Sequence, residues 1–340
     1  MSELPELIPG LPEEIALECL TRLHYSTHSV AARVCRRWRH LLLSRGFYNN
    51  RKKSGHTHKA ACLIQSLPAQ FASSESKATG PPKYGVSIVD PVNGTWERVE
   101  PVPDYPDGLP LFCQVTSSEG KLVLMGGWDP VNYEPLIHVF VYDFTTRRWR
   151  KSKDMPETRS FFALGELNGQ VIIAGGHDEN KNALNSAWVY NVTCDEWTEL
   201  PRMSQERDEC EGLVIGGQFW VVSGYRTESQ GQFEGSAESI ELGASQWRKI
   251  EDAWKENRCP KSCIGVDKGG KLVNWIGCVR EVKAGVCVGH TSEWTMVSGS
   301  AYEGGAQAFY IMEGQNGKWK RVDVAEGFSG FVQSGCFVEI

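Results

Sequence analysis

Four tryptophans, Trp96, Trp149, Trp197 and Trp247, stand 53, 48 and 50 residues apart in a chain of 340. A long period sustained through half a chain constrains the fold more than local propensity does, because each copy must be the same supersecondary unit. The clearest copy is MPETRSFFALGELNGQVIIAGGHDENKNALNSAWVYNVTCDEWTELPRM, from Met155 to Met203. It reads as strand, Asn168-Gly169 turn, strand, Gly175-Gly176, loop, a third strand ending at Tyr190-Asn191, and a fourth strand holding Trp197. Asn-Gly between apolar runs marks a tight hairpin, since both residues tolerate positive φ. Gly126-Gly127, Tyr142 and Trp149 repeat the plan upstream, Gly224 and Trp247 repeat it downstream, and VSIVDPVNGTW closes an earlier copy at Trp96. Met155 and Met203 each have an arginine four positions on, Arg159 and Arg207. A single sheet with two apolar faces is not stable alone, so the copies must stack on one another in a ring.

Gly-Gly, then Tyr, then Trp at this period resembles the kelch repeat, whose unit is one four-stranded propeller blade. The resemblance implies a mainly β chain with a kelch β-propeller over residues 60–340. Beyond Trp247 the pattern degenerates: Trp319 follows 72 residues later, about one and a half repeats, although KLVNWIG, AGVCVGHTSEWTMVSG, AFYIMEGQNGKW and SGFVQSGCFVEI are all strand-like. Five or six four-stranded blades are therefore expected, with six preferred. The last apolar strands, running to Ile340, are expected to pair with the first blade, which closes the ring and removes exposed edges. Residues 68–83, PAQFASSESKATGPPK, read as a surface loop interrupting the first blade.

The first fifty residues follow a different period. Leu11-Pro12-Glu13-Glu14-Ile15 begins a helix with Pro where its missing amide costs little and acids where they meet the positive helix end. Ile15, Cys19, Leu20 and Leu23 then lie on one helical face, and Val30, Val34, Trp38, Leu41 and Leu42 repeat the pattern. Three short helices cannot bury so much apolar surface among themselves, so a partner is implied. Leu-Pro-x-Glu-Ile followed by Val-Cys-Arg-Arg-Trp-Arg closely resembles the F-box, whose apolar faces dock on the Skp-type adaptor of a cullin ubiquitin ligase. The resemblance assigns a small all-α F-box domain to residues 1–49 and a linker to 50–59. It assigns adaptor binding to Leu11, Pro12, Ile15, Leu20, Leu23, Val30, Val34, Cys35, Trp38 and Leu42. The plain alternative is a helical cap packed on its own ring.

Composition narrows the chemistry. A formal net charge of −6 argues against nucleic acid as the partner of the whole chain. Residues 22–53 nevertheless hold nine Lys or Arg and no acid; Arg51-Lys52-Lys53 falls in the expected linker, where it could serve localisation. Eleven scattered cysteines without a secretory leader suggest a reducing compartment, the cytoplasm and nucleus, and no apolar run is long enough to cross a membrane. Cys259 and Cys263 lack a partner pair or histidine cluster, so no metal, cofactor or catalytic residue is assigned. A copper oxidase on a kelch ring would need His ligands, yet only His138, His177 and His290 lie in the ring, each in a different context.

The combination of F-box and kelch repeats is typical of plants. The ending GFSGFVQSGCFVEI and the opening LIPGLP resemble the plant group that includes the KISS ME DEADLY proteins. That resemblance implies a substrate-recognition subunit of a Skp–cullin–F-box ligase. It also implies targets in phenylpropanoid control (phenylalanine ammonia-lyase) and cytokinin signalling (type-B response regulators). In kelch domains the Arg of Met-x-x-x-Arg and residues just after Gly-Gly line the channel mouth. Carried onto this chain, they give Trp128, Arg159, His177, Asp178, Arg207, Tyr225 and Arg226 as substrate-binding residues. Arg159 and Arg207 could instead only hold blades together through acids such as Glu157 and Asp208. The alternative function is a non-catalytic kelch scaffold attached to no ligase.

Overall fold

Alternation along single strands sets the architecture. Leu122 and Leu124 pack into one core cluster and Val123 and Met125 into the next, all four buried. A strand apolar on both faces must lie in a sheet sandwiched between two others. The computed structural model repeats this around a ring. It describes residues 6–68, 82–256, 258–261, 263–267, 269–282, 284–290, 294–302, 305–314 and 317–340. Most of the loop expected at 68–83 lies outside these residues.

Five antiparallel four-stranded sheets form the blades. The first takes Val332–Glu339 from the C-terminus and adds Lys59–Ser66, Tyr84–Asp90 and Thr95–Arg98. Lys59 pairs with Glu339 and Cys62 with Cys336, so the two ends of the propeller sequence share one sheet and close the ring, as expected. The next three blades occupy 114–152, 163–200 and 211–250, and the fifth 284–322. The preference for six four-stranded blades is thereby corrected to five. Between the fourth and fifth blades lies only a two-stranded hairpin, Ile264–Val266 with Leu272–Asn274. The surrounding sequence is too polar and too rich in turn residues to supply outer strands; Trp254, Trp275, Val279 and Val282 fill the space instead.

The repeated tryptophans join consecutive blades. The indole N–H of Trp149 donates to the carbonyl of Glu100 at 2.7 Å, Trp197 to Lys153 at 3.1 Å and Trp247 to Pro201 at 2.6 Å. Trp96 in the first blade donates to Asp323, beyond the last strand of the fifth, at 2.8 Å. Each indole thus satisfies a carbonyl leaving the preceding blade while its rings fill the wedge between sheets. Tyr142 and Tyr190 pack on Trp149 and Trp197 with centroids 5.1 and 4.8 Å apart.

Four helices precede the ring: α1 (Glu13–Thr21), α2 (His28–Ala31), α3 (Arg36–Leu42) and α4 (Arg45–Lys53). The sulfur of Cys35 and the hydroxyl of Ser44 accept from backbone amides to start α3 and α4. Because α4 continues to Lys53, residues 50–53 of the expected linker are helical, and only 54–58 connect helix to strand. Arg51 is buried and donates to the carbonyls of Thr21 (3.0 Å), Leu23 (3.2 Å) and His56 (2.8 Å), so it ties α4 to the end of α1. Lys52 and Arg45 bind the Glu119 carboxylate at 2.7 and 3.1 Å. Arg51 is thus internal, while Lys52 stays exposed in a surface ion pair.

Candidate functional site

The helical domain and the glycine-pair loops occupy opposite ends of the ring. In an antiparallel blade the first and third turns lie at one end, and the second turn and the crossover to the next blade at the other. The helices meet the first end. His24 bonds Asp90 at 2.9 Å in one hairpin, Arg45 and Lys52 hold Glu119 in another, and the Tyr48 hydroxyl donates to the carbonyl of Glu339 at 3.3 Å. The loops after Gly127, Gly176 and Gly224 lie at the far end.

The ten residues assigned to adaptor binding divide into two sets. Leu20 and Leu42 are buried, and Leu23 and Trp38 pack partly buried in the same cluster with Leu7, Ala16, Ala31, Ala32 and Phe47. Trp38 also donates its indole N–H to the Leu7 carbonyl at 2.7 Å. Leu20 and Leu42 belong to the internal core of the helical domain, which corrects the expectation that they meet the adaptor directly; Leu23 and Trp38 pack against that core and keep part of their surface. Leu11, Ile15, Val30 and Val34 are 36, 52, 67 and 64% exposed, and Pro12 and Cys35 are exposed beside them. The chain turns between α2 and α3, so Val30 and Val34 do not continue the apolar face of Trp38 as helical periodicity suggests. Even with the ring packed beneath, the helices leave these branched side chains in water.

At the far end the arginines are not on the surface. Arg159 is 0% and Arg207 1% exposed. Arg159 donates to the carbonyls of Gly175 (2.8 Å) and Ser186 (3.3 Å), to the Ser186 hydroxyl (2.8 Å) and to Glu157. Arg207 repeats this on Ser223 (2.8 Å), Ser236 (3.2 Å) and the Ser236 hydroxyl (2.9 Å), with Glu238 at 3.2 Å. Each guanidinium pins a crossover segment to the turn after the paired glycines. Burial lowers the pKa of Arg159 while Glu157 opposes the shift. A guanidinium without surface offers nothing to a ligand, so Arg159 and Arg207 leave the candidate surface. The reading in which they hold the ring is the right one, except that the partner of Arg207 is Glu238 and not Asp208.

Asp208 instead receives His177, whose Nδ1 lies 2.9 Å from Oδ1. His177 and Tyr225 are nearly buried, each bridged by backbone to the crossover that leads into its own blade. Burial, then Asp208 and Glu209, push the Tyr225 phenol far up. Trp128 is half-buried and donates to the Ser160 hydroxyl at 2.8 Å. Asp178 caps its own loop by accepting from the amides of Asn180 and Asn182 at 2.9 and 2.8 Å. Exposed Arg226 is held by Glu234 at 3.2 Å and Gln205 at 2.8 Å. The glycine that opens each of these loops is a packing requirement: a Cβ on Gly127 would sit 2.6 Å from the Leu111 carbonyl, and one on Gly224, which follows Ser223, 2.7 Å from that of Asp208. Among the described residues no three His, Cys, Asp or Glu side chains come together as a metal site needs.

Sequence comparison matches an F-box domain to residues 8–50 and the kelch motif to 111–156 and 158–204. The F-box/kelch-repeat protein At1g15670 of Arabidopsis thaliana is 36% identical, over 98% of this chain and 100% of its own length. The F-box/kelch-repeat protein SKIP20 of the same plant is 39% identical over 73% of this chain and 67% of its own. The chain belongs to the F-box/kelch-repeat family. Among solved structures, that of YjhT superposes with a TM-score of 0.48 at 11% identity, over 78% of this chain and 86% of that one.

In this F-box/kelch protein the far rim also carries residues that motif reasoning missed. Phe112 and Phe161 stand beside Trp128, with centroids 5.4 Å (Phe112–Trp128), 5.4 Å (Phe112–Phe161) and 5.8 Å (Trp128–Phe161) apart. Their spacing of 49 residues matches the repeat, and Phe161 lies two positions after the noted Arg159, so the signal was present. Lys261 gave none. Its ammonium donates to the Cys210 carbonyl (3.2 Å), the Gln114 side chain (3.3 Å) and the Phe162 carbonyl, and so bridges three blades at the rim end of the channel.

Proposed function

We propose that this F-box/kelch protein is the substrate-recognition subunit of a Skp–cullin–F-box E3 ubiquitin ligase, with α1–α3 facing the adaptor and the far rim facing the target. The observation that carries the reading is the exposed set Leu11, Ile15, Val30 and Val34 on a helical domain whose own core is already filled. Exposed branched apolar side chains grouped on one small domain mark an interaction surface. Such a subunit performs no chemistry; by holding a target near a charged conjugating enzyme it raises the effective concentration of target lysines. The placement of the two surfaces at opposite ends of a rigid ring suits that task. Co-expression with a plant Skp-type adaptor followed by size-exclusion chromatography tests it. A stoichiometric complex lost on Ile15→Glu or Val34→Glu is expected. A free monomer beside free adaptor refutes it and leaves the scaffold reading.

The resemblance of the chain's ends to the KISS ME DEADLY group extends the reading to phenylalanine ammonia-lyase and type-B response regulators as targets, and to the cytoplasm and nucleus where they act. Retention of either purified protein on the immobilised adaptor complex supports this extension. Retention of neither removes it without touching the receptor reading.

A further inference from the structure

In the second, third and fourth blades the turn into the inner strand holds a left-handed residue, and they supply it differently: Phe112 (φ 57°), Phe161 (φ 52°) and Glu209 (φ 49°) hold equivalent places. Left-handed backbone disfavours a bulky side chain by about 1 kcal/mol, and Gly or Asn would serve the turn better. The fold therefore does not explain why two of the three are phenylalanine. Phe112 is 44% exposed, and with Trp128 and Phe161 it forms a continuous aromatic ledge on the far rim. The loops bordering the ledge carry Asp129, Glu134, Asp178, Glu179 and Glu209, against Lys181; of the other cations at this end, Lys261 is engaged by Gln114 and the carbonyls of Phe162 and Cys210, and Arg226 by Glu234 and Gln205. Asp129 and Asp178 each accept hydrogen bonds from amides of their own loops, which fixes both carboxylates in place.

We propose that this ledge receives a Lys- and Arg-bearing segment of the target protein. The proposal rests on reading the far rim as target-facing, and it names the chemistry of that target. Ammonium and guanidinium groups gain from aromatic rings when partly desolvated, and an acidic border supplies both steering and sign selection. An acidic segment would be repelled by the same border. A purely apolar one would leave the carboxylates without partners.

The test is selection of 12-residue peptides from a random displayed library on the immobilised full chain, with Phe112→Gly and Glu134→Lys/Glu179→Lys variants alongside. Gly suits the backbone at 112, and residues 134 and 179 are exposed, so both variants keep the fold. Enrichment of Lys and Arg over Asp and Glu is expected, with affinity falling at least about tenfold in each variant and with added salt. Enrichment of acidic or uncharged peptides, or none above an unrelated protein, overturns the proposal. A concentration-dependent dimer abolished by Phe112→Gly also overturns it, by assigning the ledge to a second copy. Adaptor binding in the same preparation separates the two readings. If adaptor binds but basic peptides are not enriched, only the ledge proposal fails. If basic peptides are enriched without adaptor binding, only the receptor reading fails.

Discussion

Replacing Arg207 by Met should unfold the fourth blade far more readily than any rim contact could account for. The guanidinium is 1% exposed and its partner Glu238 0%, at 3.2 Å. Without the arginine, Glu238 keeps only the amide of Ser204 at 2.7 Å, and the carbonyls of Ser223 and Ser236 lose a donor. Removing one member of a buried pair costs roughly 3–5 kcal/mol, mostly the cost of the orphaned charge. With an unfolding entropy of about 2.1 cal/mol/K per residue, 340 residues give about 0.7 kcal/mol/K, so Tm should fall by roughly 4–7 °C. The double variant Arg207→Met/Glu238→Gln removes the charge and should regain more than half of the loss, a coupling of about 2 kcal/mol or more. Thermal and urea unfolding of the wild type, both single variants and the double variant measure this cycle. A cost below about 1 kcal/mol for Arg207→Met, or a double variant as unstable as the sum of the singles, refutes the clamp. Arg159→Met should cost less, because its acid Glu157 is 35% exposed and can be hydrated once released.

The helical domain offers a contrast between surface and core. Ile15→Glu and Val34→Glu should abolish adaptor association with Tm unchanged, whereas Leu20→Ala and Leu42→Ala should each cost about 2–4 kcal/mol of stability, read by denaturant unfolding. Arg51→Met should detach α4 from α1, because Thr21, Leu23 and His56 lose their donor; faster amide exchange in α1 and α4 is the expected signature. His28 should make the domain acid-sensitive. Burial, then the Arg51 charge, holds its folded pKa at about 4, below the ordinary 6.5 of an imidazole. The unfolded chain therefore takes the proton first, and stability present above pH 6.5 is lost as pH falls toward about 4. His28→Gln should flatten that part of the Tm–pH curve; an unchanged curve contradicts the assignment.

The placement of the helical domain and the glycine-turn loops at opposite ends has a physical cause in the antiparallel blade. A blade continuous in sequence sends two hairpins to one end and its long loop and crossover to the other; in the first blade the paired chain ends take the place of one hairpin. The helices use the hairpin end, where short turns present Glu119, Asp90 and the Glu339 carbonyl at fixed positions. The long loops are left at the other end.

What the amino-acid order determined by itself was whatever repeats or is local. The tryptophan period, the paired glycines and the Asn168-Gly169 turn specify four-stranded units, because tight turns and wedge-filling indoles need those residue types wherever they occur. The Leu-Pro-x-Glu-Ile and Val-Cys-Arg-Arg-Trp patterns likewise place helices and identify a domain. Tertiary structure alone decided which side chains those units consume. Arg159 and Arg207 look like rim residues in sequence, yet buried carbonyls at Gly175, Ser186, Ser223 and Ser236 that accept from the guanidinium groups draw them inward. Leu20, Leu23, Trp38 and Leu42 share a period with Ile15 and Val34, but only packing distinguishes the half that fills the domain from the half that faces water. The blade number was also a tertiary matter: a ring closes on whatever fills its gaps, and Trp254 and Trp275 with one short hairpin sufficed. Periodicity reports that a face is apolar, while its partner is set by residues hundreds of positions away.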